Sequence, residues 1–221
     1  MFDTVLIAGL GLMGGSMAKT IKARTLSRVL GWNRTRATAE QALADGSIDA
    51  IATEALYKEA DLVIIGLYPQ ATVDWLLENM PKMKKGCVIV DMVGVKQFMV
   101  DHLEQAALDA GVHYVGGHPM AGREFSGLDY SLPTLFDGAS MIFVPTKSST
   151  ERVLEQLEAY FMSLGFGQTV RCTAAARSHD RVYLAAGACC VLSVYQKSGG
   201  RQAQRLLGGQ LQGSDACCQA E

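Results

Sequence analysis

The sequence predicts an α/β fold, a doubly wound parallel sheet with helices on both faces. Short β-branched or apolar runs alternate with amphipathic helical stretches from Thr4 to about Thr146. A glycine-rich turn, GLGLMGG, joins the first run to the first helix. Apolar residues make up 49% of the 221 positions, enough to bury a sizeable core.

The strand TVLIAG leads into the helix LMGGSMAKTIKAR, RVLGW into TRATAEQALADG, and the short DAIAT precedes DLVIIGLY. QATVDWLLENM then reads as a helix, CVIVDM as a strand, KQFMVDHLEQAALDAG as a helix and HYVGG as the sixth strand. SMIFVP is a further strand, SSTERVLEQLEAYFMSLG a helix with a serine or threonine cap, and QTVRCT a last strand. Residues 1–173 thus form one domain, with a new helix expected from about Ala174.

A net charge of −2 with interspersed signs gives no basic stripe for nucleic acid and no polybasic membrane anchor. No apolar run approaches a membrane span, and the N-terminal stretch lacks a basic leader and is broken by glycines, so it reads as a strand. Cys87 and Cys172 lie in the body of the chain, and Cys189–Cys190 and Cys217–Cys218 are adjacent pairs poorly placed to bridge. With no metal-type spacing, no metal site is expected and a reducing cytoplasm is the expected setting.

Gly9, Gly11 and Gly14 have the G-x-G-x-x-G spacing, with Leu12 and Met13 between the last two, after a strand and before a helix. Gly9 permits the tight turn, Gly11 lets backbone approach a pyrophosphate, and Gly14 lets helix and strand pack closely; the phosphates meet a positive helix N-terminus. This predicts a Rossmann-type NAD(P)-binding domain. The second strand ends in GWNRTR, where Asn33 stands in place of the ribose-binding acid and Arg34 and Arg36 follow. Guanidinium groups without a carboxylate suit a 2′-phosphate, so NADP is favoured and NAD remains possible; a solvated basic turn is the plain alternative. Leu67, Tyr68 and Pro69 fall at the carboxyl edge of the sheet, beside a cofactor or simply in a strand-to-helix turn.

In VGGHPMAGREFSG, His118 follows the sixth strand at the same edge, with Pro119 and Gly122 fixing its loop. A neutral imidazole there can take a hydroxyl proton while a hydride leaves for a nicotinamide. The alternative is a merely packed histidine, as expected for His113.

Together, GLGLMGGSMAKTIK, DMVGVK, GGHPMAGREFSG and LFDGASMIFVP resemble the prephenate dehydrogenase family, which includes the arogenate-using enzymes. The resemblance extends to HDRV at His179–Val182. It implies oxidative decarboxylation of prephenate to 4-hydroxyphenylpyruvate in tyrosine biosynthesis: a hydride passes from the hydroxyl-bearing ring carbon to the nicotinamide, and carbon dioxide departs as the ring becomes aromatic. By the same resemblance His118 binds and deprotonates that hydroxyl, and Glu124 and Gly127 shape the loop beside it. Many members carry serine after the fifth strand, where this chain has Gly94, so backbone or water must replace that contact. Lys96 supports the site or is a solvent-exposed lysine at a helix start.

The resemblance also implies a following helical domain that gives the dimer interface, much of the substrate pocket and a carboxylate-gripping arginine. Residues 174–182 fit its start, but YLAAGACCVLSVYQKSGGRQAQRLLGGQLQGSDACCQAE shows no sustained helical face. YLAAGACCVLSVYQKS can be encoded so that dropping one base reads Thr-Ser-Gln-Leu-Ala-His-Val-Val-Ser-Ser-Ala-Phe-Thr-Lys-Ser, as the family would place after HDRV. RLLGGQLQGSDACCQA, one base later, reads Gly-Phe-Ser-Gly-Gly-Ser-Phe-Arg-Asp-Leu-Thr-Arg-Val-Ala-Lys, like the arginine-bearing stretch. Residues 183–221 are therefore expected to be a frameshifted, non-native tail in place of the helical dimerisation domain. The expectations are NADP binding at best, poor solubility, little turnover, and a family homodimer in doubt for this chain. Arogenate dehydrogenase and a non-catalytic NAD(P)-binding module are the alternatives.

Overall fold

Near-continuous apolar runs such as LVII and VIVD bury both faces of a strand, and they pair in parallel as that pattern requires. The computed structural model describes residues 2–172. Eight strands form one sheet: β1 (Thr4–Ala8), β2 (Arg28–Trp32), β3 (Ala50–Ile51), β4 (Leu62–Ile65), β5 (Val88–Asp91), β6 (His113–Pro119), β7 (Ser140–Pro145) and β8 (Gln168–Arg171). Six helices alternate with them: α1 (Leu12–Arg24), α2 (Arg36–Ala44), α3 (Glu54–Tyr57), α4 (Pro69–Asn79), α5 (Lys96–Ala110) and α6 (Glu151–Ser163). The strand order is β3-β2-β1-β4-β5-β6-β7-β8, so the chain reverses its progress between β1 and β4. That reversal opens a crevice at the carboxyl ends of these two strands, where ligands of doubly wound folds bind.

Alternation along each strand splits the core in two. Ile7, Ile64 and Val90 face one layer with Met17 and Ile21 of α1, Ala42 of α2 and Phe161 of α6. Leu6, Val63 and Ile89 face the other with Tyr57 of α3, Leu76 of α4 and Leu103 of α5. Among the described residues no helix is long and apolar enough to cross a membrane.

Two details differ from the sequence reading. β7 runs antiparallel to β6, because residues 120–139 form no crossover helix that would return the chain to the other end of the sheet. They stay at the carboxyl end, where Thr20 of α1 donates to the Pro133 carbonyl at 2.9 Å and Ser16 accepts from Leu132 N at 3.0 Å. Antiparallel pairing extends β6 to Pro119, so His118 lies on the strand, opposite Ile142, rather than after it. The expected cap of α6 is present: the Thr150 hydroxyl accepts from Val153 N. The expectations for 174–182 and 183–221 lie outside the described residues.

Candidate active site

The three glycines of the first turn are required for different reasons. Gly9 has φ +95°, and a Cβ there would sit 2.7 Å from the Gly66 carbonyl oxygen. A Cβ at Gly14 would run into the Gly9 carbonyl oxygen, so this glycine lets α1 start hard against β1. Gly11 faces open space, with nothing within 4 Å of its missing Cβ. No side chain caps α1 and its first turn holds no acid, so its leading N–H groups remain available to an anion. In front of them is a cavity of about 300 Å³, walled by Gly11, Leu12 and Met13, by Gly66–Tyr68 and Met92, and by Phe125–Gly127.

At the end of β2 the Asn33 amide is used locally. Its Oδ1 accepts from Leu10 N at 3.0 Å and its Nδ2 donates to the Thr35 carbonyl at 3.1 Å, tying the glycine turn to β2. Arg36 pairs with Glu40 of its own helix at 2.8 Å. Arg34 is exposed at the same turn. Tyr68 is 85% exposed over the cavity, Leu67 is half-buried beneath the turn, and Pro69 begins α4, where its fixed φ and missing N–H cost nothing.

The His118 side chain shares a face of β6 with Tyr114 and Gly116 and approaches the turn between β5 and α5: its Cε1 is 3.8 Å from the position of the Cβ that Gly94 lacks. Gly94 follows Met92, a wall of the cavity, so imidazole and glycine turn border one edge of the sheet. Among the described residues the buried Nδ1 meets no hydrogen-bond partner of good geometry, and the Val93 backbone is the main-chain group that acts on the ring. Burial pushes the imidazole below its ordinary value, the Lys96 ammonium pushes it further down, and the Asp91 carboxylate and Val93 backbone pull it back. A ring held below its ordinary value is neutral near pH 7 and able to accept a proton.

Lys96 is only 5% exposed, which excludes the solvent-exposed reading of a helix-start lysine. Its ammonium is ion-paired with fully buried Asp91. That carboxylate also accepts from Val93 N at 2.8 Å and from the Tyr114 hydroxyl at 2.7 Å. Either charge left alone in this position would cost about 3–5 kcal/mol, so the pair stands or falls together. Burial holds the Lys96 ammonium below the ordinary lysine value, against the smaller upward pull of Asp91.

These elements fit a dinucleotide: a cradle without side chains, uncapped helix N–H groups, and an adjoining proton acceptor. Residues 17–168 match the family described as "Prephenate dehydrogenase, nucleotide-binding domain". The chain belongs to the prephenate dehydrogenase family. It is similar to the prephenate dehydrogenase of Bacillus subtilis, 36% identical over 162 residues that make up 72% of this chain and 43% of that protein. The chain thus spans less than half the length of that relative. Among solved structures, a prephenate dehydrogenase from Aquifex aeolicus in complex with hydroxyphenyl propionate and NAD+ shares the fold, with TM-score 0.72 and 23% identity over 89% of this chain and 70% of that one. The arogenate dehydrogenase of Synechocystis aligns with TM-score 0.71 and 25% identity, covering 94% of this chain and 80% of that one.

Among the residues singled out from sequence, Gly9, Gly11, Leu12, Met13, Gly14, Leu67 and Tyr68 gather at the turn and its cavity, and Gly94, Lys96 and His118 at the adjoining edge. Gly127 borders the cavity with φ +97°. Gly122 and Glu124 are exposed on the loop that follows and meet neither group. Sequence reasoning missed Asp91 and Tyr114; an acid ending the apolar run CVIVD was the available signal. His113 is a packed histidine, its Nδ1 2.6 Å from the Ser148 carbonyl oxygen. Among the described residues no group of three or more possible metal ligands gathers.

Proposed function

We propose that the chain carries the nucleotide-binding half of a prephenate dehydrogenase. Its residues would bind NADP across the glycine turn and take the ring-hydroxyl proton of prephenate at His118. The bound nicotinamide supplies the hydride acceptor. The chain's own residues would hold the pyrophosphate on the N–H groups of α1, present the His118 imidazole to the hydroxyl, and wall the cavity at Phe125–Gly127. Proton removal there releases the electrons that drive hydride departure, and loss of carbon dioxide completes the aromatic ring. The observation that carries this reading is a neutral imidazole on the same sheet edge as an unblocked Gly11.

NADP is favoured over NAD because Arg34 is exposed beside the turn, while the Asn33 amide occupies the place of a ribose-binding acid and is engaged with Leu10. Cys87 is a buried core thiol pushed up to about 12 by burial, which makes it unreactive rather than a candidate nucleophile. Arogenate is the second substrate reading, favoured by the likeness to the Synechocystis enzyme. The frame shift proposed near Val182 places the dimer interface and the carboxylate-gripping arginine in the restored frame.

The test has two arms. Calorimetric titration of the full chain should show binding of NADP tighter than NAD. A gene with one base restored near codon 182 should give prephenate-dependent reduction of the nucleotide that His118→Asn abolishes, with arogenate as the competing substrate. An intact frame in the natural gene would overturn the frame-shift reading, and full activity of His118→Asn would overturn the role of the imidazole.

A further inference from the structure

We propose that Lys96 is a positioning residue for His118, holding the β5–α5 turn against the imidazole and setting a buried positive charge behind it. The inference rests on reading His118 as the proton acceptor.

The placement is built in from three elements. Lys96 is the first residue of α5, and its stem crosses the face of β6 at Gly116, where a Cβ would come within 3.1 Å of Lys96 Cδ. Gly116 is two residues from His118 and shares its face, so any larger side chain would press on the lysine stem on the imidazole's side of the sheet. The ammonium then reaches Asp91 at the end of β5, whose second oxygen is held by the Tyr114 hydroxyl at 2.7 Å on the same face of β6. Asp91 Oδ1 also takes the Val93 N–H, which fixes the turn leading to Gly94 beside the ring. One buried pair therefore ties together the strand that carries His118, the neighbouring strand and the helix that follows it.

Among the described residues, the charges reaching the ring from the elements packed on it are Lys96 from α5 and Asp91 from β5, and β7 places Ile142 opposite the histidine. Of the two, the ammonium acts more strongly on the imidazole. A positive charge there disfavours a second positive charge on the ring, and the low-dielectric surroundings keep that effect from being screened. The Asp91 carboxylate, anchored by two other donors, favours the charged form of Lys96 in a place an isolated ammonium would avoid.

The test is an NMR titration of His118 in the full 221-residue chain with labelled histidine, assigned by the loss of its signal in His118→Asn. Lys96→Met should shift the His118 midpoint upward. Lys96→Met/Asp91→Asn removes both charges without leaving a buried orphan and should also shift it upward, by less. Leu103→Ala, a core truncation in the same helix that touches no charge, should leave it in place. In the unmodified chain the midpoint should hold as salt is raised, because a buried pair is not screened. A midpoint unmoved in either folded Lys96 variant overturns the proposal. So does a midpoint in the unmodified chain that relaxes to the ordinary imidazole value with salt, which needs no variant at all. Because no turnover is measured, these outcomes separate from failure of the dehydrogenase reading, which would appear as absent nucleotide binding or an active His118→Asn enzyme.

Discussion

The imidazole of His118 meets the backbone of Gly94 at the carboxyl edge of the sheet, with Cε1 3.8 Å from where a Gly94 side chain would begin and Nδ1 lacking a partner among the described residues. A serine Cβ fits there at ordinary van der Waals distance, and its hydroxyl would lie beside the ring. Gly94→Ser should melt where the parent chain does. In the frame-restored enzyme it should raise turnover roughly two- to tenfold, the value of one added hydrogen bond of about 0.5–1.5 kcal/mol. Steady-state kinetics with prephenate check this, and a loss of turnover would count against it.

Gly11 and Gly14 should separate binding from folding. At Gly11 the chain has φ −78° and open space, so Gly11→Ala should change stability by no more than about 0.5 kcal/mol yet weaken nucleotide binding tenfold or more, about 1.4 kcal/mol. At Gly14 the new methyl meets the Gly9 carbonyl, and Gly14→Ala should destabilise the fold by about 1–3 kcal/mol as well as weaken binding. Denaturant unfolding and calorimetric titration of both variants give the comparison.

Arg34→Ala should discriminate the two dinucleotides. A charge-assisted contact to a 2′-phosphate is worth about 1.5–3 kcal/mol, so NADP affinity should fall roughly ten- to a hundredfold while NAD affinity stays within about twofold. Equal losses for both nucleotides would assign Arg34 to the shared pyrophosphate instead.

The pH response follows from the depressed imidazole. Burial first and the Lys96 charge second hold His118 below the ordinary imidazole value, so between the folded and unfolded midpoints the unfolded chain binds more protons. The contribution of this residue is therefore fully present above the ordinary imidazole value and is lost as pH falls through the window below it. Turnover by the frame-restored enzyme should fall over the same acid limb, because the proton acceptor becomes occupied. Unfolding curves taken across that window should show the slope, and His118→Asn should remove it.

Much of this was legible in the sequence. The glycine spacing located α1, observed from Leu12 to Arg24, because the turn and the helix start are dictated by local backbone geometry. His118 stood out because it lies between glycines and a proline at a strand end. The Asp91–Lys96–Tyr114 cluster was not legible, since residues 23 positions apart meet only after β5 and β6 pair, and a lysine opening a helix is ordinarily solvated. The direction of β7 was hidden for a related reason. An apolar run of six residues specifies a buried strand, while its orientation depends on the connection before it, where Ser16 and Thr20 of α1 hold residues 132 and 133.

The chain contains two tryptophans, Trp32 and Trp75, with ring centroids 5.4 Å apart, and the Trp32 carbonyl accepts from Gly9 N at 2.8 Å. Ultraviolet light taken up by the protein's indoles is thus gathered beside the turn itself. A reduced dinucleotide seated there would drain that excitation and glow blue in its place, giving the molecule an unlabelled optical gauge of whether its crevice is filled.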